Sequence, residues 1–548
     1  MDASLASQTS RKVQRLPTDI VRGRLDLRYY KRVLLFLILA LSWPIHSNAT
    51  TVLVEAGAIS GQQDAGLNIY RGVPYAAPPL GALRWREPQR AASWKGVRKA
   101  DQFRPACMQT GVSMPGETPP EVSEDCLYLN IWAPRRAAKQ RLPVLVWIHG
   151  GGFSNGSAAM PLYSGDRLAA KGIVVVTVAY RLGPLGFLAY PELTREAPNQ
   201  GSGDYGLMDQ IAALKWIQRN IGAFGGNPSQ VTIAGQSAGA MSVSLLMASP
   251  PAKGLFERAI GQSGGVFEPM QLAPNWLLPN AEKEGQAYAL SLGAQSLADL
   301  RRLPAMRLLE GKAAAISHPV IGSYVLPSSP YEVFAAGHQN DVPILIGSNA
   351  DEARSLTDLK SVTAVNYRAS LAKQWGPLPD PIVAAYPFTT DDEARKARAD
   401  LERDLRFGWD MWAWARLQST TGKAAVYGYY FAHKPPFLES SAQANWGASH
   451  FAELWYMSDH LNQSALSWSP VDRRLAAAMS DYWVNFVKSG TPNGPGLPAW
   501  PTYEPCGQQI LFLDDQIITG SWPNLPTLRA FDAVYDQVRR APFKASRP

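Results

Sequence analysis

The chain has 548 residues, of which 46% are hydrophobic, and a formal net charge of +8 at neutral pH. This hydrophobic content is sufficient for a large buried core and excludes an intrinsically disordered protein. The positive residues are scattered and form neither a basic stripe nor a repeated motif, so the charge does not indicate a nucleic-acid-binding protein. The composition therefore predicts a globular protein that does not bind nucleic acid.

Residues 1–49 are predicted to form a signal peptide with a long basic segment. Several Arg and Lys residues precede an apolar run at 33–43, and Ser47-Asn48-Ala49 places small residues where a signal peptidase reads them. The apolar run is too short to cross a bilayer comfortably. We expect export to the periplasm or the medium with cleavage after Ala49. A later translation start and an uncleaved membrane anchor are the alternatives.

The three cysteines fit an exported protein. Cys107 and Cys126 flank a loop rich in Pro, Gly and Glu, whereas Cys506 lies far along the chain. In an oxidising compartment we expect Cys107 and Cys126 to pair, closing a loop of about 20 residues and contributing about 3 kcal/mol. Cys506 is then expected to be a free, unreactive thiol.

The mature chain, residues 50–548, is predicted to be one α/β domain. Residues 51–70 alternate in polarity and favour a small antiparallel sheet. The apolar runs at 142–148 and 173–179 are typical of strands that are buried on both faces of a parallel sheet. A long amphipathic helix at 204–224 precedes the next strand, and this order implies parallel pairing. Further strands are predicted at 126–132, 259–264, 342–347 and 427–432, and helices at 240–248 and 280–312.

The stretch 231–239 reads as a strand that runs into Gly235-x-Ser237-x-Gly239 and then into a helix. A serine at such a turn has a strained backbone, which is tolerated when the residues two before and two after it have no side chain. Its hydroxyl would face a substrate, and the N–H of Ala238 would point to where an anionic oxygen is stabilised. Taken alone, the motif is equally compatible with a simple Gly-rich turn.

Three consecutive glycines follow the strand at 142–148, in His149-Gly150-Gly151-Gly152-Phe153. Such a run costs backbone entropy and indicates a place where the backbone must approach another group closely. With Ser237 in the same chain, we expect the amides of Gly151, Gly152 and Ala238 to converge on a developing oxyanion. A flexible loop without this role is the alternative.

The candidate base is His450, because it is the histidine in a Gly-containing loop after a predicted strand, among seven in the chain. Three carboxylates compete as its partner. Asp351 and Glu352 follow a predicted strand at its carboxyl end, where catalytic groups collect in parallel sheets, and Glu453 lies one turn after His450.

These motifs together resemble the type-B carboxylesterases, the α/β-hydrolase family that includes carboxylesterases and cholinesterases. The resemblance extends from about residue 54 to residue 522. The stretches that carry it are Gly72-Val-Pro-Tyr-Ala76, Glu124-Asp-Cys-Leu-Tyr-Leu-Asn130, His149-Gly-Gly-Gly-Phe153, Asp209-Gln210, the turn at 235–239, Asp351-Glu352 and Gly447-Ala-Ser-His450. The implied fold is a large, mostly parallel central sheet flanked by helices, with a small N-terminal antiparallel sheet and helical insertions.

The resemblance implies a triad of Ser237, Glu352 and His450, and so favours Glu352 over Asp351 and Glu453. It implies an oxyanion hole formed by the amides of Gly151, Gly152 and Ala238. The expected activity is hydrolysis of small-molecule carboxylic esters through an acyl-enzyme, without a metal ion or an organic cofactor. The alternative is a non-catalytic binding or adhesion protein on the same fold, because the family contains adhesion members that lack a working triad.

Two positions depart from the family pattern. Position 236 is Gln where many members have Glu, which removes one negative charge next to Ser237. Arg354 lies near the predicted triad acid and, with the positive net charge, suggests activity on bulky or polycarboxylate esters. The alternative is that Arg354 is an exposed or structurally paired arginine.

Overall fold

The computed structural model describes residues 50–112, 118–137, 140–311, 313 and 316–541. The predicted signal peptide and its cleavage site after Ala49 precede the described residues. No helix within the described ranges is long and apolar enough to cross a membrane.

Thirteen of the described strands form one sheet, in the order β1-β2-β3-β7-β9-β8-β10-β11-β12-β13-β14-β15, with β4 paired to β2. The short strands β5 and β6 pair with each other. The strands are β1 Thr50–Val54, β2 Gly57–Asp64, β3 Leu67–Pro74, β4 Val97–Lys99, β5 Ala106–Cys107, β6 Val122–Ser123, β7 Tyr128–Pro134, β8 Leu142–Ile148, β9 Val174–Val178, β10 Gly226–Gln236, β11 Arg258–Gln262, β12 Ile344–Asn349, β13 Val426–Phe431, β14 Gln509–Leu513 and β15 Ile517–Ser521.

The centre of the sheet is parallel, from β9 through β8, β10, β11, β12 and β13 to β14, and antiparallel strands extend it at both sides. The predicted N-terminal antiparallel unit continues the central sheet, because β3 pairs with β7 and β7 pairs with β9. The predicted mostly parallel α/β fold is therefore confirmed, with the N-terminal unit joined to its edge.

Helices cover both faces of the sheet. The predicted helix at 204–224 is Tyr205–Asn220, followed by a 3-10 turn at Ile221–Phe224. The described helices are α1 Asp166–Ala170, α2 Gly183–Phe187, α3 Pro191–Glu196, α4 Tyr205–Asn220, α5 Ala238–Ala248, α6 Leu278–Ser291, α7 Leu297–Arg302, α8 Pro330–Ala335, α9 Tyr367–Trp375, α10 Asp380–Ala384, α11 Asp391–Arg403, α12 Trp409–Thr421, α13 Leu454–Met457, α14 Pro470–Ser489 and α15 Leu525–Arg540.

Two hydrophobic cores lie on opposite faces of the sheet because successive residues of a strand point to opposite sides. In β8, Val144 and Val146 pack in one core, whereas Leu145 and Trp147 pack in the other. Burial of both faces explains why the central strands are continuous apolar runs and do not alternate in polarity. Because these strands are parallel, their carboxyl ends meet at one edge of the sheet, where the candidate site lies.

The predicted disulfide is present between Cys107 and Cys126, and Cys506 is an exposed free thiol. The bridge joins β5 to the segment immediately before β7. It therefore links β5 to the start of β7, a strand that lies between β3 and β9 in the sheet.

Candidate active site

Ser237 occupies the sharp turn between β10 and α5, with φ at 57°. The two flanking glycines are required by close packing. A Cβ on Gly235 would lie 2.4 Å from the carbonyl carbon of Gly239, and a Cβ on Gly239 would lie 2.1 Å from the oxygen of Ile148. Both distances are too short for any side chain. The steric reason for the predicted motif is therefore confirmed, and the serine is left partly exposed at the turn.

The glycine loop after β8 lies directly against this turn. A Cβ on Gly150 would be 2.6 Å from the carbonyl oxygen of Gln236, so the loop and the turn are in contact. Gly151 and Gly152 have φ of 105° and 60°, conformations that other residues rarely adopt. Within the described part of the chain, their amides donate to no other group. The N–H of Ala238, at the first position of α5, likewise has no intrahelical acceptor. Unpaired backbone donors of this kind are able to bind an anionic oxygen.

His450 and Glu352 form a buried hydrogen-bonded pair. His450 Nδ1 lies 2.6 Å from Oε2 of Glu352, and the side chains are 1% and 0% exposed. Glu352 lies three residues after the end of β12, and its Oε1 accepts the backbone N–H of Asn349 at 2.8 Å. Because Nδ1 donates to the carboxylate, Nε2 of the neutral ring is an acceptor and is the atom available to act as a base.

Neither of the other two candidate carboxylates contacts His450. Asp351 forms an ion pair with Arg354 at 2.8 Å, and its Oδ2 accepts the N–H of Ala448 at 3.0 Å. The backbone N–H of Asp351 also donates to the carbonyl of Ala448. A Cβ on Gly447 would lie 2.3 Å from Asp351 Oδ2, which explains the glycine in this loop. Asp351 therefore holds the loop that carries His450.

Glu453 lies behind the pair and is fully buried. Its carboxylate accepts hydrogen bonds from Asn349 Nδ2 at 2.5 Å and from Gln262 Nε2 at 3.1 Å. Burial, and then repulsion from Glu352, raise the pKa of Glu453 to about 7. Asn349 thus contacts both carboxylates, Glu352 through its backbone and Glu453 through its side chain.

The sequence did not reveal Phe407, which stacks on His450 with ring centroids 4.5 Å apart and an interplanar angle of 5°. Phe407 lies in a π-helical segment, Asp404–Gly408, between α11 and α12. Insertions of this kind re-aim side chains and are common at functional sites. No local pattern in the sequence distinguishes this phenylalanine from the many other aromatic residues of the chain.

Gln236 also contacts His450, which the sequence did not indicate. Its amide nitrogen lies 3.2 Å from Nε2 and 3.4 Å from Nδ1 of His450. Among the described residues, no hydrogen bond joins the Ser237 hydroxyl to His450. The site thus brings Ser237, His450 and Glu352 into one region, and the amide of Gln236 lies against the imidazole at nearly equal distances from its two nitrogens.

Two other histidines are excluded from the base role by their surroundings. Burial lowers the pKa of His149 to about 4, and its Nδ1 contacts the carbonyl of Gly150 at 2.9 Å. His433 lies within reach of Asp514 and Asp515, a grouping that metal ions use. Both of its ring nitrogens are already 2.8 Å from carboxylate oxygens, Nε2 from Asp472 and Nδ1 from Asp515, so neither nitrogen is available as a base.

Residues 48–521 match the Carboxylesterase family. The chain belongs to this family. It is 36% identical to the fumonisin B1 esterase of Sphingopyxis macrogoltabida, covering 86% of this chain and 90% of that protein. It is 33% identical to the para-nitrobenzyl esterase of Bacillus subtilis (strain 168), covering 85% and 95%. The fold is similar to a solved structure titled PNB esterase, with a TM-score of 0.76, 32% identity and coverage of 88% and 99%.

Family membership makes this protein a carboxylic ester hydrolase of the serine carboxylesterase family. It acts on ester substrates and has the α/β-hydrolase fold. The alternative of a non-catalytic binding protein is therefore not retained.

Proposed function

We propose that Ser237 is the nucleophile, His450 the general base and Glu352 the acid that orients the imidazole. The observation that supports this assignment is the buried contact of 2.6 Å between His450 Nδ1 and Glu352, in a loop next to the strained Ser237 turn. Asp351 and Glu453 make other contacts, so neither supplies a competing partner.

In this proposal, Ser237 Oγ attacks the ester carbonyl while His450 Nε2 takes its proton. The imidazolium is stabilised by Glu352 and then protonates the leaving alkoxide. Amides of Gly151, Gly152 and Ala238 donate to the oxyanion, and each such donor typically contributes about 3 kcal/mol to the transition state. Water next attacks the acyl-enzyme by the same route, which releases the acid and restores Ser237.

The test is the Ser237→Ala variant, assayed with p-nitrophenyl butyrate and with a fluorophosphonate probe. We expect a folded protein that neither turns over the ester nor takes up the probe. The wild-type protein should be labelled once per chain. Retention of most of the activity by the variant would refute the assignment.

For the substrate, we propose bulky esters that carry a carboxylate away from the scissile bond. A cavity of about 840 Å³ supports this proposal. Its lining begins two residues after Glu352, at Arg354, and ends four residues before His450, at Trp446. The lining contains neither Ser237 nor His450. In this proposal, the cavity holds the distal part of a substrate while the ester bond lies at the serine.

The charges of the lining also support the proposal. It contains four cations, Arg354, Lys360, Arg395 and Lys396, and two acids, Asp358 and Asp392. Three of the cations are paired: Arg354 with Asp351, Arg395 with Asp392 and Lys396 with Asp400. Arg354 is therefore paired with a neighbouring carboxylate, as the alternative in the sequence analysis expected. Lys360 is the one lining cation that forms no ion pair with any described residue, which makes it the preferred contact for a carboxylate.

We would test the proposal with mono-p-nitrophenyl glutarate and p-nitrophenyl valerate, which have equal acyl length and differ in a terminal carboxylate. We expect Lys360→Glu to raise KM for the glutarate by threefold to tenfold, roughly what one exposed charge reversal supplies. KM for the valerate should change less than twofold. Lys253→Glu, at an exposed lysine outside the cavity, is the control. Equal effects on both esters, or a wild-type preference for valerate, would refute it.

We further propose that the protein is exported and cleaved after Ala49. The basic segment, the apolar run and the small residues before Thr50 support this, as does the Cys107–Cys126 disulfide, which is typical of oxidising compartments. The intact mass of the protein recovered from the periplasm or medium should match a chain that begins at Thr50. A protein that keeps its N-terminal segment would contradict cleavage.

A further inference from the structure

One histidine and two aspartates form a cluster at the carboxyl ends of two neighbouring parallel strands. His433 lies shortly after β13, and Asp514 and Asp515 lie in the turn between β14 and β15. The ligand atoms of the three residues lie within 4.8 Å of one another, and Nδ1 of His433 is 2.8 Å from an oxygen of Asp515. The cluster therefore combines an imidazole nitrogen with two carboxylates, which are ligands that zinc ions use.

A buried carboxylate on the other side of the ring fixes the orientation of the imidazole. Nε2 of His433 is 2.8 Å from Oδ1 of Asp472. Asp472 is buried and also accepts hydrogen bonds from the Tyr456 hydroxyl at 2.6 Å and from Ser469. A histidine that binds a metal ion almost always donates from its other nitrogen to a carboxylate, carbonyl or water, which sets the tautomer. The contact between His433 and Asp472 has this arrangement.

The proton positions leave Nδ1 of His433 without a hydrogen. A neutral imidazole has one hydrogen for its two carboxylate contacts. Asp472 is buried, whereas the side chain of Asp515 is 75% exposed, so the hydrogen belongs on Nε2, where a missing donor would cost more. Nδ1 then has a lone pair that faces a carboxylate oxygen at 2.8 Å, on a side chain that is only 8% exposed. Two acceptors this close need a cation beside them, either a second proton on the ring or a metal ion.

The local charge favours a divalent metal ion over the proton. Asp472, Asp514 and Asp515 bring three carboxylates to the ring, and no Lys or Arg in the described part of the chain forms an ion pair with them. A second proton on the ring compensates one of these charges, whereas a divalent ion compensates two. An imidazole among the ligands favours zinc over magnesium and calcium, which prefer oxygen ligands.

We propose that His433 Nδ1, Asp514 and Asp515 bind a zinc ion, with Asp472 orienting the imidazole. Ligand atoms around one zinc lie about 3.3 Å apart, so rotation of the two aspartate side chains in the turn completes the set. Water takes the fourth position, and the ion is therefore exchangeable. It joins the turn between β14 and β15 to the start of the loop that follows β13. The ion stabilises the fold and takes no part in ester hydrolysis.

The test is isothermal titration calorimetry of the protein with zinc chloride, after removal of metal ions with EDTA. We expect wild type to bind one ion per chain. The double variant Asp514→Asn and Asp515→Asn should bind at least about tenfold more weakly, because loss of ligands costs no less than loss of an outer partner. The matched control is Asp391→Asn with Asp392→Asn, which makes the same change of charge at two neighbouring exposed aspartates. It should bind zinc as wild type does.

A second measurement tests whether His433 is a ligand. The variant His433→Gln should also bind zinc at least about tenfold more weakly. If this variant does not fold, competition in wild type remains informative. A large molar excess of Mg²⁺ should leave zinc bound, because magnesium has little affinity for the imidazole nitrogen. The melting temperature of wild type should rise with zinc concentration, since the ion binds the folded chain.

The proposal is overturned if wild type binds zinc no more tightly than the double variant at Asp514 and Asp515. It is overturned equally if wild type binds no zinc, which would show that the cation beside Nδ1 is a proton. Displacement of zinc by Mg²⁺ would show that carboxylates alone hold the ion, against the role of His433. None of these outcomes depends on the roles proposed for Ser237 and His450.

Discussion

At the scale of single residues, the site depends on one carboxylate reaching the imidazole while its neighbours are held by other partners. Glu352 contacts His450, whereas Asp351, one position earlier, pairs with Arg354 and braces the loop at Ala448. Glu453 is held by two neutral amides behind the pair. The three acids therefore have three different functions, and substitutions should separate them.

The first prediction concerns the acid of the triad. Glu352→Gln should lower kcat for p-nitrophenyl butyrate by a factor of about 10³ to 10⁴, because the amide cannot stabilise the imidazolium and favours the wrong tautomer. Asp351→Asn changes the adjacent residue in the same way and should reduce kcat far less. A larger loss in Asp351→Asn than in Glu352→Gln would contradict our assignment.

The second prediction concerns the pH dependence of stability through Glu453. Its pKa is raised to about 7 in the folded protein, chiefly by burial. The contribution of this group to stability is therefore complete below the unfolded value of about 4.5, falls as the pH rises to 7 and is constant above that. The full loss is about 3 kcal/mol.

The variant Glu453→Gln lacks this titration, apart from a constant offset caused by its amide. Chemical unfolding at a series of pH values should show wild type losing stability relative to the variant between pH 4.5 and 7. Asp204, whose pKa is also raised to about 7, is present in both proteins and cancels in the difference. Two parallel curves would show that Glu453 does not titrate in this window.

At the scale of secondary-structure elements, strand ends and tight turns place the groups. β10 and α5 hold Ser237, β12 ends at Asn349 beside Glu352, and the loop after β13 carries His450. These positions follow from periodicity and glycine placement, and so most strands and the long helices were predictable. The π-helical segment at Asp404–Gly408 was not, because it depends on how α11 and α12 pack around the site.

The third prediction tests the close approach of two such loops. In Gly447→Ala, the new Cβ would lie 2.3 Å from Asp351 Oδ2, at a φ of 59°. Unfolding should show a loss of at least 2 kcal/mol, more than the roughly 1–2 kcal/mol of left-handed strain alone, together with a lower kcat. Gly496→Ala is the control, since Gly496 has φ at 79° with no atom within 4 Å of the added Cβ. Equal losses in the two variants would argue that the collision has no effect.

At the scale of the whole molecule, one continuous sheet carries the loops of the site, and a disulfide links β5 to the start of β7, an interior strand of that sheet. The parallel strands between β9 and β14 are buried by a core on each face. A rigid sheet of this kind keeps the catalytic loops in register while the loops themselves vary, which is how one fold serves many ester substrates.

The fourth prediction concerns this disulfide, whose cysteines are separated by 19 positions. Replacing Cys107 and Cys126 together with Ser should lower the free energy of unfolding by about 2–4 kcal/mol, because the unfolded chain regains freedom. The melting temperature should fall accordingly. Cys506→Ser, at the exposed free thiol, should leave the melting temperature unchanged. A shift in the Cys506 variant equal to that of the double variant would contradict this account.

The sequence by itself determined the fold class and the ester-hydrolase family, because their signals are local. For the candidate triad, local patterns predicted Ser237 and His450 and left three carboxylates open, among which the family resemblance favoured Glu352. Buried parallel strands need continuous apolar runs, and the Ser237 turn needs glycine at positions where a side chain would collide. Only the tertiary structure decided which carboxylate reaches His450 by direct contact, since that contact joins residues 98 positions apart. It likewise revealed the Gln236 contact across 214 positions, the stacking of Phe407 and the pairing of Arg354. Such contacts depend on how distant loops meet above the sheet, and no short stretch of sequence encodes that geometry.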